Sequence, residues 1–276
     1  MALTALAVSL TALTVACLAL LLQLRGAEPA AEPEPEEEPS YIEFRNGVLP
    51  VLEVVPTNEY AVEAFRMDDG GFLHYEDAPL GIDVSSYQGE IDWEQVAESG
   101  ISFAMIRAGL RGYTKGGLMK DAMFERSIRG ATAAGLDVGV YFFSQATSVA
   151  EAEEEADYLL GLIEGCRLTY PVAFDWETVG EPEARTNGVS SETVTDCARA
   201  FCDRVAAAGY EPMVYFNLDQ GYLAYQLDRL DGCLFWLAEY REQPGFYYHF
   251  DLLQYTHTGR VNGIEGAVDL DLDLRG

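Results

Sequence analysis

An apolar segment ends in two carboxylates at Pro171-Val172-Ala173-Phe174-Asp175-Trp176-Glu177. A short apolar run of this kind predicts a buried β-strand. Side chains alternate along a strand with a period of two, so Asp175 and Glu177 project to one face and Trp176 to the other. The segment therefore predicts a strand that delivers two acidic groups to the same side of a sheet.

Strand-like runs alternate with helical patterns on both sides of this segment. The other predicted strands begin at Gly81, Ser102, Val138, Met213, Leu234, Leu252 and Ala267. This alternation is typical of a parallel α/β sheet or barrel. Only about a dozen residues separate the last three strands, which is barely enough for a helical crossover, so we expect some antiparallel pairing there. We predict an irregular TIM-like α/β barrel rather than an open doubly wound sheet, because no glycine-rich phosphate loop follows the first strand.

Two further aspartates are expected near the acidic pair. Asp83 lies in the first predicted strand and Asp269 in the last, and closure of a barrel makes these strands neighbours. The inward face at the carboxyl ends of barrel strands opens into the bowl where active sites lie. Crowded, partly buried carboxylates raise the proton affinity of one member, as acid-catalysed glycosidic cleavage requires. Taken singly, the pair Asp175 and Glu177 is as typical of a solvated rim or a helix cap as of a catalytic site. Asp83 alone is equally typical of a turn, and Asp269 alone of the edge of a hairpin.

Several stretches together resemble the glycoside hydrolase family 25 lysozymes. They include Gly81-Ile82-Asp83-Val84-Ser85-Ser86-Tyr87-Gln88-Gly89 and Phe174-Asp175-Trp176-Glu177, together with residues 105–109, 135–143, 254–256 and 268–270. The resemblance spans residues 80–274, about seven-tenths of the chain. It implies five β/α units followed by three strands. It also implies cleavage of the bond between N-acetylmuramic acid and N-acetylglucosamine in peptidoglycan.

The resemblance also implies residue roles. Glu177 would be the general acid, assisted by Asp175, while Asp83 and Asp269 would complete an acidic bowl. Whether the reaction uses the N-acetyl group of the substrate or a covalent intermediate stays open. The sequence departs from the family at Leu253, where Trp is frequent, and at Asp271, where Asn is common.

Aromatic and polar residues near the predicted strand ends are candidates for binding sugar. Aromatic faces stack on sugar rings, and hydroxyl and amide groups hydrogen-bond their substituents. For each aromatic residue singly, core packing is at least as consistent with the sequence. Arg107 is interpreted as a structural partner of a bowl carboxylate rather than a substrate ligand. The candidates are Tyr141, Phe143, Tyr215, Trp236, Gln254 and Tyr255.

The formal net charge is −29, and only six Glu and one Arg precede Tyr41, so most of this charge belongs to the folded part. Such a surface repels polyanions, which excludes nucleic acid as a partner. No metal or other cofactor is expected, because His74, His249 and His257 lack ligand spacing. Four cysteines outside the N-terminal run permit three pairings, but we interpret most of them as buried small hydrophobic residues.

The N-terminus carries an export or anchoring signal. Residues 1–25 are apolar enough to span a membrane, as an uncleaved anchor first, a cleaved signal second, or third a lipoprotein signal at Thr14-Val15-Ala16-Cys17. Residues 26–40 form a Pro/Glu-rich linker, and turn signals in residues 41–79 predict a β-rich extension on a catalytic barrel of residues 80–276. The expected protein is an extracytoplasmic monomer, membrane-anchored or secreted, whose partners are peptidoglycan strands and the membrane.

Two other functions remain open. A chitinase-like barrel also ends a strand with Asp-Trp-Glu, but its further aspartates would fall at Ala173 and Tyr170. A non-catalytic cell-surface sugar-binding module on the same fold would be expected to lack one of the four carboxylates, whereas all four are present.

Overall fold

The computed structural model describes residues 40–276. The predicted membrane segment, and the predicted linker apart from Ser40, lie outside this range. Within it, no helix combines the length and apolar character needed to cross a bilayer.

The first part of the described chain consists of two short hairpins. Strands β1 and β2 form one hairpin and β3 and β4 the other. Their bounds are Tyr41–Phe44 (β1), Gly47–Pro50 (β2), Arg66–Met67 (β3) and Leu73–His74 (β4).

A barrel with surrounding helices makes up the remainder. Its strands are Leu80–Val84 (β5), Phe103–Arg111 (β6), Leu118–Lys120 (β7), Asp137–Ser144 (β8), Val172–Trp176 (β9), Pro212–Asn217 (β10), Leu234–Ala238 (β11), Leu252–Gly259 (β12) and Val268–Asp273 (β13). The α-helices are Trp93–Glu98 (α1), Phe124–Ala133 (α2), Val149–Leu162 (α3) and Ser191–Ala207 (α4). Between β10 and β11 the chain forms a π-helical turn at Gln220–Ala224 and a 3-10 turn at Leu227–Arg229.

Eight strands close the barrel in the order β5-β6-β8-β9-β10-β11-β12-β13, and β13 returns to β5. The mixed α/β class and the closed eight-stranded barrel agree with the sequence prediction. Strand β13 runs antiparallel to both β12 and β5, which confirms the expected antiparallel pairing near the C-terminus. Strand β7 is an additional hairpin partner of β6 that the sequence analysis missed.

The barrel wall separates two groups of buried side chains. The interior holds a compact cluster that includes Phe103, Met105, Met213, Trp236 and Leu252. A larger apolar cluster fills the space between the outer face of the strands and the helices. Because strand side chains alternate, each barrel strand supplies both layers, and its polar residues reach the interior only at alternate positions.

The segment between the two hairpins is hydrogen-bonded to the barrel domain. Backbone hydrogen bonds join His249 N–H to the Pro56 carbonyl and Asn58 N–H to the Tyr247 carbonyl, each at 2.8 Å. Leu52 N–H also donates to the Tyr248 hydroxyl at 2.9 Å. The segment that connects β11 to β12 is thereby tied to the N-terminal extension.

Glycines follow the ends of two of the helices. Gly135 and Gly209 have φ angles of 86° and 87°, a left-handed conformation that carries little penalty for glycine. Among the described residues the four cysteines are free: Cys197 and Cys202 are buried, and Cys166 and Cys233 are partly exposed. Two of the four therefore sit in the core as small side chains.

Candidate active site

An acidic cleft of about 260 Å³ opens at the carboxyl ends of the parallel barrel strands. Its walls combine carboxylates, aromatic rings and polar groups from most of the barrel strands. The lining residues are Asp83, Ser85, Tyr87, Gln88, Arg107, Tyr141, Phe143, Asp175, Glu177, Tyr215, Trp236, Tyr240, Gln254 and Asp269.

The four predicted carboxylates all line this cleft. Asp175 belongs to β9 and Glu177 follows its end, so the two share the inward face, while Trp176 is buried in the outer layer. Asp83 on β5 lies directly opposite Asp269 on β13 in the antiparallel register. Because the first and last strands of the barrel pair with each other, their carboxylates meet at one site.

Burial raises the pKa of every one of these carboxyls. For Glu177, desolvation is the largest cause, and the charge of Asp269 raises the pKa further. Desolvation and then Glu177 raise the pKa of Asp175 well above its usual range. Desolvation, Asp269 and Asp271 do the same for Asp83, and burial raises the pKa of Asp269. Asp175 is only 5% exposed, whereas Glu177 keeps partial access to solvent.

A glutamine links the carboxylates to two phenols. Gln254 Nε2 donates to Asp83 Oδ2 at 2.7 Å. Its Oε1 accepts from the hydroxyls of Tyr215 and Tyr240 at 3.0 and 2.9 Å. Both polar atoms of the Gln254 amide are thus hydrogen-bonded. These bonds hold Asp83 in one orientation and position the Tyr215 and Tyr240 rings along the wall of the cleft.

Aromatic rings form the floor of the cleft. Trp236 is 1% exposed and packs edge-on against Tyr215 and Tyr141, with ring centroids 4.9 and 5.9 Å apart. Phe143 lines the cleft with partial exposure. Five of the six predicted sugar-binding residues are therefore in the cleft, although Trp236 offers little accessible surface.

The sixth, Tyr255, does not reach the cleft. Alternation places it opposite to Gln254 on β12, and its ring is buried in the outer apolar layer at 2% exposure. The prediction that Tyr255 lines the cleft is wrong, because adjacent residues of a strand cannot share a face.

Arg107 has a different partner from the one expected. Its guanidinium binds Asp121, with Nε to Oδ2 at 2.9 Å and Nη2 to Oδ2 at 2.8 Å, rather than one of the four cleft carboxylates. Asp121 also accepts from the Ser86 backbone N–H at 3.0 Å and is 2% exposed. Arg107 nonetheless lines the cleft, where its charge lowers the pKa of Asp175 against the effect of burial.

The sequence analysis missed several polar and aromatic positions of the site. Tyr240 is 52% exposed at the rim and packs against the His257 ring at 4.6 Å. Tyr240 follows Trp236 by four residues, so the two share a face if the alternation of β11 continues past its end at Ala238. Strand periodicity therefore contained a signal for Tyr240. Tyr87, 86% exposed beneath the Arg107 guanidinium at 5.2 Å, lies in the quoted 81–89 stretch.

A buried amide is hydrogen-bonded to the backbone at Glu177. Gln145 is fully buried, and its Nε2 donates to the Glu177 carbonyl at 2.7 Å and to the Ser144 carbonyl at 2.9 Å. No sequence pattern had singled out Gln145. The described residues contain no group of three or more His, Cys, Asp or Glu side chains arranged to hold a metal ion.

A closed α/β barrel with carboxylates gathered at the carboxyl ends of its strands defines a class: the carboxylate-dependent glycoside hydrolase barrels. The model of the family described as Glycosyl hydrolases family 25 matches residues 82–264, about two-thirds of the chain. The chain belongs to this family, which confirms the resemblance noted from its motifs.

Individual relatives agree with this placement. The Autolytic lysozyme of Clostridium acetobutylicum is 31% identical over 196 residues, which cover 69% of this chain and 54% of that protein. A family 25 glycosyl hydrolase from Bacillus anthracis has the same fold at 23% identity, with a TM-score of 0.62, covering 73% of this chain and 91% of that one. The modular autolysin LytC of Streptococcus pneumoniae, solved with a synthetic peptidoglycan ligand, is similar at 25% identity and a TM-score of 0.60, over 76% of this chain and 52% of that one. The chain thus spans about half the length of the curated relative.

Proposed function

We propose that this protein is a lysozyme that hydrolyses the bond between N-acetylmuramic acid and N-acetylglucosamine in peptidoglycan. The observation that carries the proposal is Glu177, whose pKa is raised in a cleft it shares with three other carboxylates. Such a group retains a proton at pH values where an exposed glutamate has lost it. A glycosidic oxygen leaving from a sugar ring needs that proton.

The roles follow from position. Glu177, with partial access to the cleft, protonates the leaving oxygen. Asp175, on the same face of β9, stabilises the positive charge that develops at the sugar carbon or orients the attacking group. Asp83 and Asp269, opposite each other across the β5–β13 pair, complete the acidic cleft, and the charge of Asp269 helps to keep the pKa of Glu177 raised.

Sugar recognition uses the remaining walls of the cleft. Phe143 offers partly exposed aromatic surface. The other proposed sugar-binding residues, Tyr141, Tyr215, Trp236 and Gln254, are more than 90% buried and present only their edges to the cleft. A strongly acidic protein has to hold a polysaccharide by stacking and hydrogen bonds rather than by ion pairing. The relative named an autolytic lysozyme and the autolysin solved with a peptidoglycan ligand support peptidoglycan as the substrate.

We further propose the chain layout inferred from sequence: residues 1–25 as anchor or signal, 26–40 as linker, 41–79 as extension and 80–276 as catalytic barrel. The protein would act outside the cytoplasm as a monomer, tethered to the membrane or secreted. N-terminal sequencing of protein recovered from membranes and from the medium distinguishes the two, because a tethered chain retains its apolar segment.

The Glu177→Gln variant tests the proposed activity. Because the amide cannot supply the proton, release of reducing ends from purified peptidoglycan should fall by about 10²–10⁴-fold. Glu154→Gln, an exposed glutamate on α3, is the matched control and should leave the rate unchanged. Circular dichroism and urea unfolding check that both variants are folded.

The possible outcomes separate the candidate functions. A fully active Glu177→Gln enzyme contradicts the role of Glu177 as the acid. Peptidoglycan binding by the wild type without any release of reducing ends indicates the sugar-binding module instead. Cleavage of N-acetylglucosamine polymers in preference to peptidoglycan indicates the chitinase-like alternative.

A further inference from the structure

Three aspartates alternate along β13 and face the barrel interior at successive depths. Asp269 lies in the acidic cleft. Asp273 lies further along, where it binds Arg275 at 2.8 Å and the Tyr170 hydroxyl at 2.7 Å. Asp271 lies between them, and no cation binds it.

The two oxygens of Asp271 have different environments. Oδ1 accepts a hydrogen bond from Trp236 Nε1 at 2.8 Å. Oδ2 is buried without any hydrogen-bond partner, and the residue as a whole has 0% exposure. An ionised oxygen that has lost water and gained no donor is strongly unfavourable, whereas a protonated one becomes a donor in search of an acceptor.

The Asp83 carboxyl is within hydrogen-bonding reach of Asp271. Asp269 pairs with Asp83 and Asp271 pairs with Gly81 in the β13–β5 register, so Asp271 and Asp83 are diagonal neighbours on one face. Gln254 Nε2 already occupies Asp83 Oδ2. The other Asp83 oxygen is therefore available to a proton carried by Asp271.

No cation of the cleft is free to pair with the Asp271 carboxyl in place of a shared proton. The ionisable groups of the cleft above Asp271 are Asp83 on β5 and Tyr87 after it, Arg107 on β6, Tyr141 on β8, Asp175 on β9 and Glu177 after it, Tyr215 on β10, Tyr240 after β11 and Asp269 on β13 itself. The only cation among them, Arg107, is bound to Asp121. Below Asp271, Asp273 is paired with Arg275. Tyr255 on β12 points into the outer layer. Desolvation raises the pKa of Asp271 well above its usual range, and the charge of Asp269 adds to it, while the hydrogen bonds with Trp236 and Asp83 lower it.

We propose that Asp83 and Asp271 share one proton, and that Asp271 is a positioning residue that holds the Asp83 carboxylate from below the cleft. The Asp271 hydroxyl donates to one oxygen of Asp83 while Gln254 donates to the other. The pair then carries a single negative charge instead of two. Asp271 never touches the substrate, since it does not line the cleft.

Proton release on unfolding tests the shared proton without any assay of activity. Unfolded aspartates have a pKa of about 3.9, so a proton held by the native pair at neutral pH is released when urea unfolds the full chain. Titration in a weakly buffered solution should find about one proton fewer released from Asp271→Asn than from wild type. Asp83→Asn should lose the same proton, because the remaining carboxylate then has an amide donor and ionises.

The double variant makes the test decisive. If the proton is shared, Asp83→Asn combined with Asp271→Asn loses no more than either single variant. A loss of two protons would show that each carboxyl holds its own, and no loss in any variant would show that neither does; both results overturn the proposal. Asp273→Asn is the control and should release as many protons as wild type, because Arg275 holds the pKa of Asp273 low in the native state.

A kinetic comparison tests the positioning role, and this part rests on the proposed function. Asp271→Leu removes the donor at similar size and should lower kcat by about 10²-fold with little change in KM. Asp271→Asn restores a donor and should recover most of that loss. Equal losses in both variants would overturn the positioning role. An inactive wild type would instead contradict the proposed function and leave the proton count intact.

Discussion

At the scale of single residues, the proposed acid depends on a neighbour that a mutation can neutralise. The charge of Asp269 is one cause of the raised pKa of Glu177, after desolvation. In Asp269→Asn the pKa of Glu177 should fall, so its proton is lost at lower pH. The alkaline limb of the kcat/KM profile, scaled to its own maximum, should therefore move to lower pH.

The control for this shift is Asp273→Asn, an aspartate of the same strand that does not line the cleft. Its profile should coincide with that of the wild type on the alkaline side. An alkaline limb that stays in place in Asp269→Asn would mean that the charge of Asp269 does not act on the acid.

Residue-level prediction from sequence worked where strand alternation decides the outcome. Alternation placed Asp175, Glu177 and Trp176 on their faces, and the structure has them there. The same rule, applied to adjacent Gln254 and Tyr255, should have excluded Tyr255 from the cleft. Asp121 was not predicted as the partner of Arg107, because a hairpin through β7 brings it there and this strand of three residues is too short to display a periodic pattern.

At the scale of elements, one buried ion pair joins β6 to α3. Arg111 Nε binds Glu155 Oε1 at 2.7 Å, and the two side chains are 4% and 0% exposed. Ser144 on β8 donates to the other oxygen of Glu155 at 2.6 Å. Glu155→Ala leaves Arg111 buried with its inner partner missing, so the free energy of unfolding should fall by about 3–5 kcal/mol in urea titrations.

The neighbouring glutamate provides a matched comparison. Glu154 also binds Arg111 at 2.7 Å but is 59% exposed. Water replaces such a partner readily, so Glu154→Ala should cost less than about 1 kcal/mol. Equal losses in the two variants would show that burial of the pair does not set its contribution.

The elements of the barrel were predicted more reliably than their connections. Apolar runs identified all eight barrel strands. The short spacing of the last three predicted some antiparallel pairing, without indicating that β13 is the antiparallel strand. The extra strand β7 and the π-helical turn after β10 carry no periodic pattern, because three to five residues are too few to display one.

At the scale of the whole molecule, closure of the barrel converts scattered acids into one site. Asp83 and Asp269 are 186 residues apart in sequence, yet they face each other because the first and last barrel strands pair. The sequence predicted this closure. It did not predict which side of the barrel the N-terminal extension covers, since that contact depends on backbone hydrogen bonds around Pro56 and His249 rather than on a motif.

The net charge of −29 acts over the whole surface and should make activity depend on salt when the substrate is also anionic. At about 0.01 M salt the Debye length is about 30 Å, and at about 0.15 M it is about 8 Å. Cell walls that retain anionic polymers should therefore be cut faster as salt rises, because screening removes long-range repulsion. The same walls stripped of those polymers, assayed in parallel for released reducing ends, should respond much less. Equal salt responses on both substrates would mean that the acidic surface does not govern approach to the wall, and that the cleft alone determines the rate.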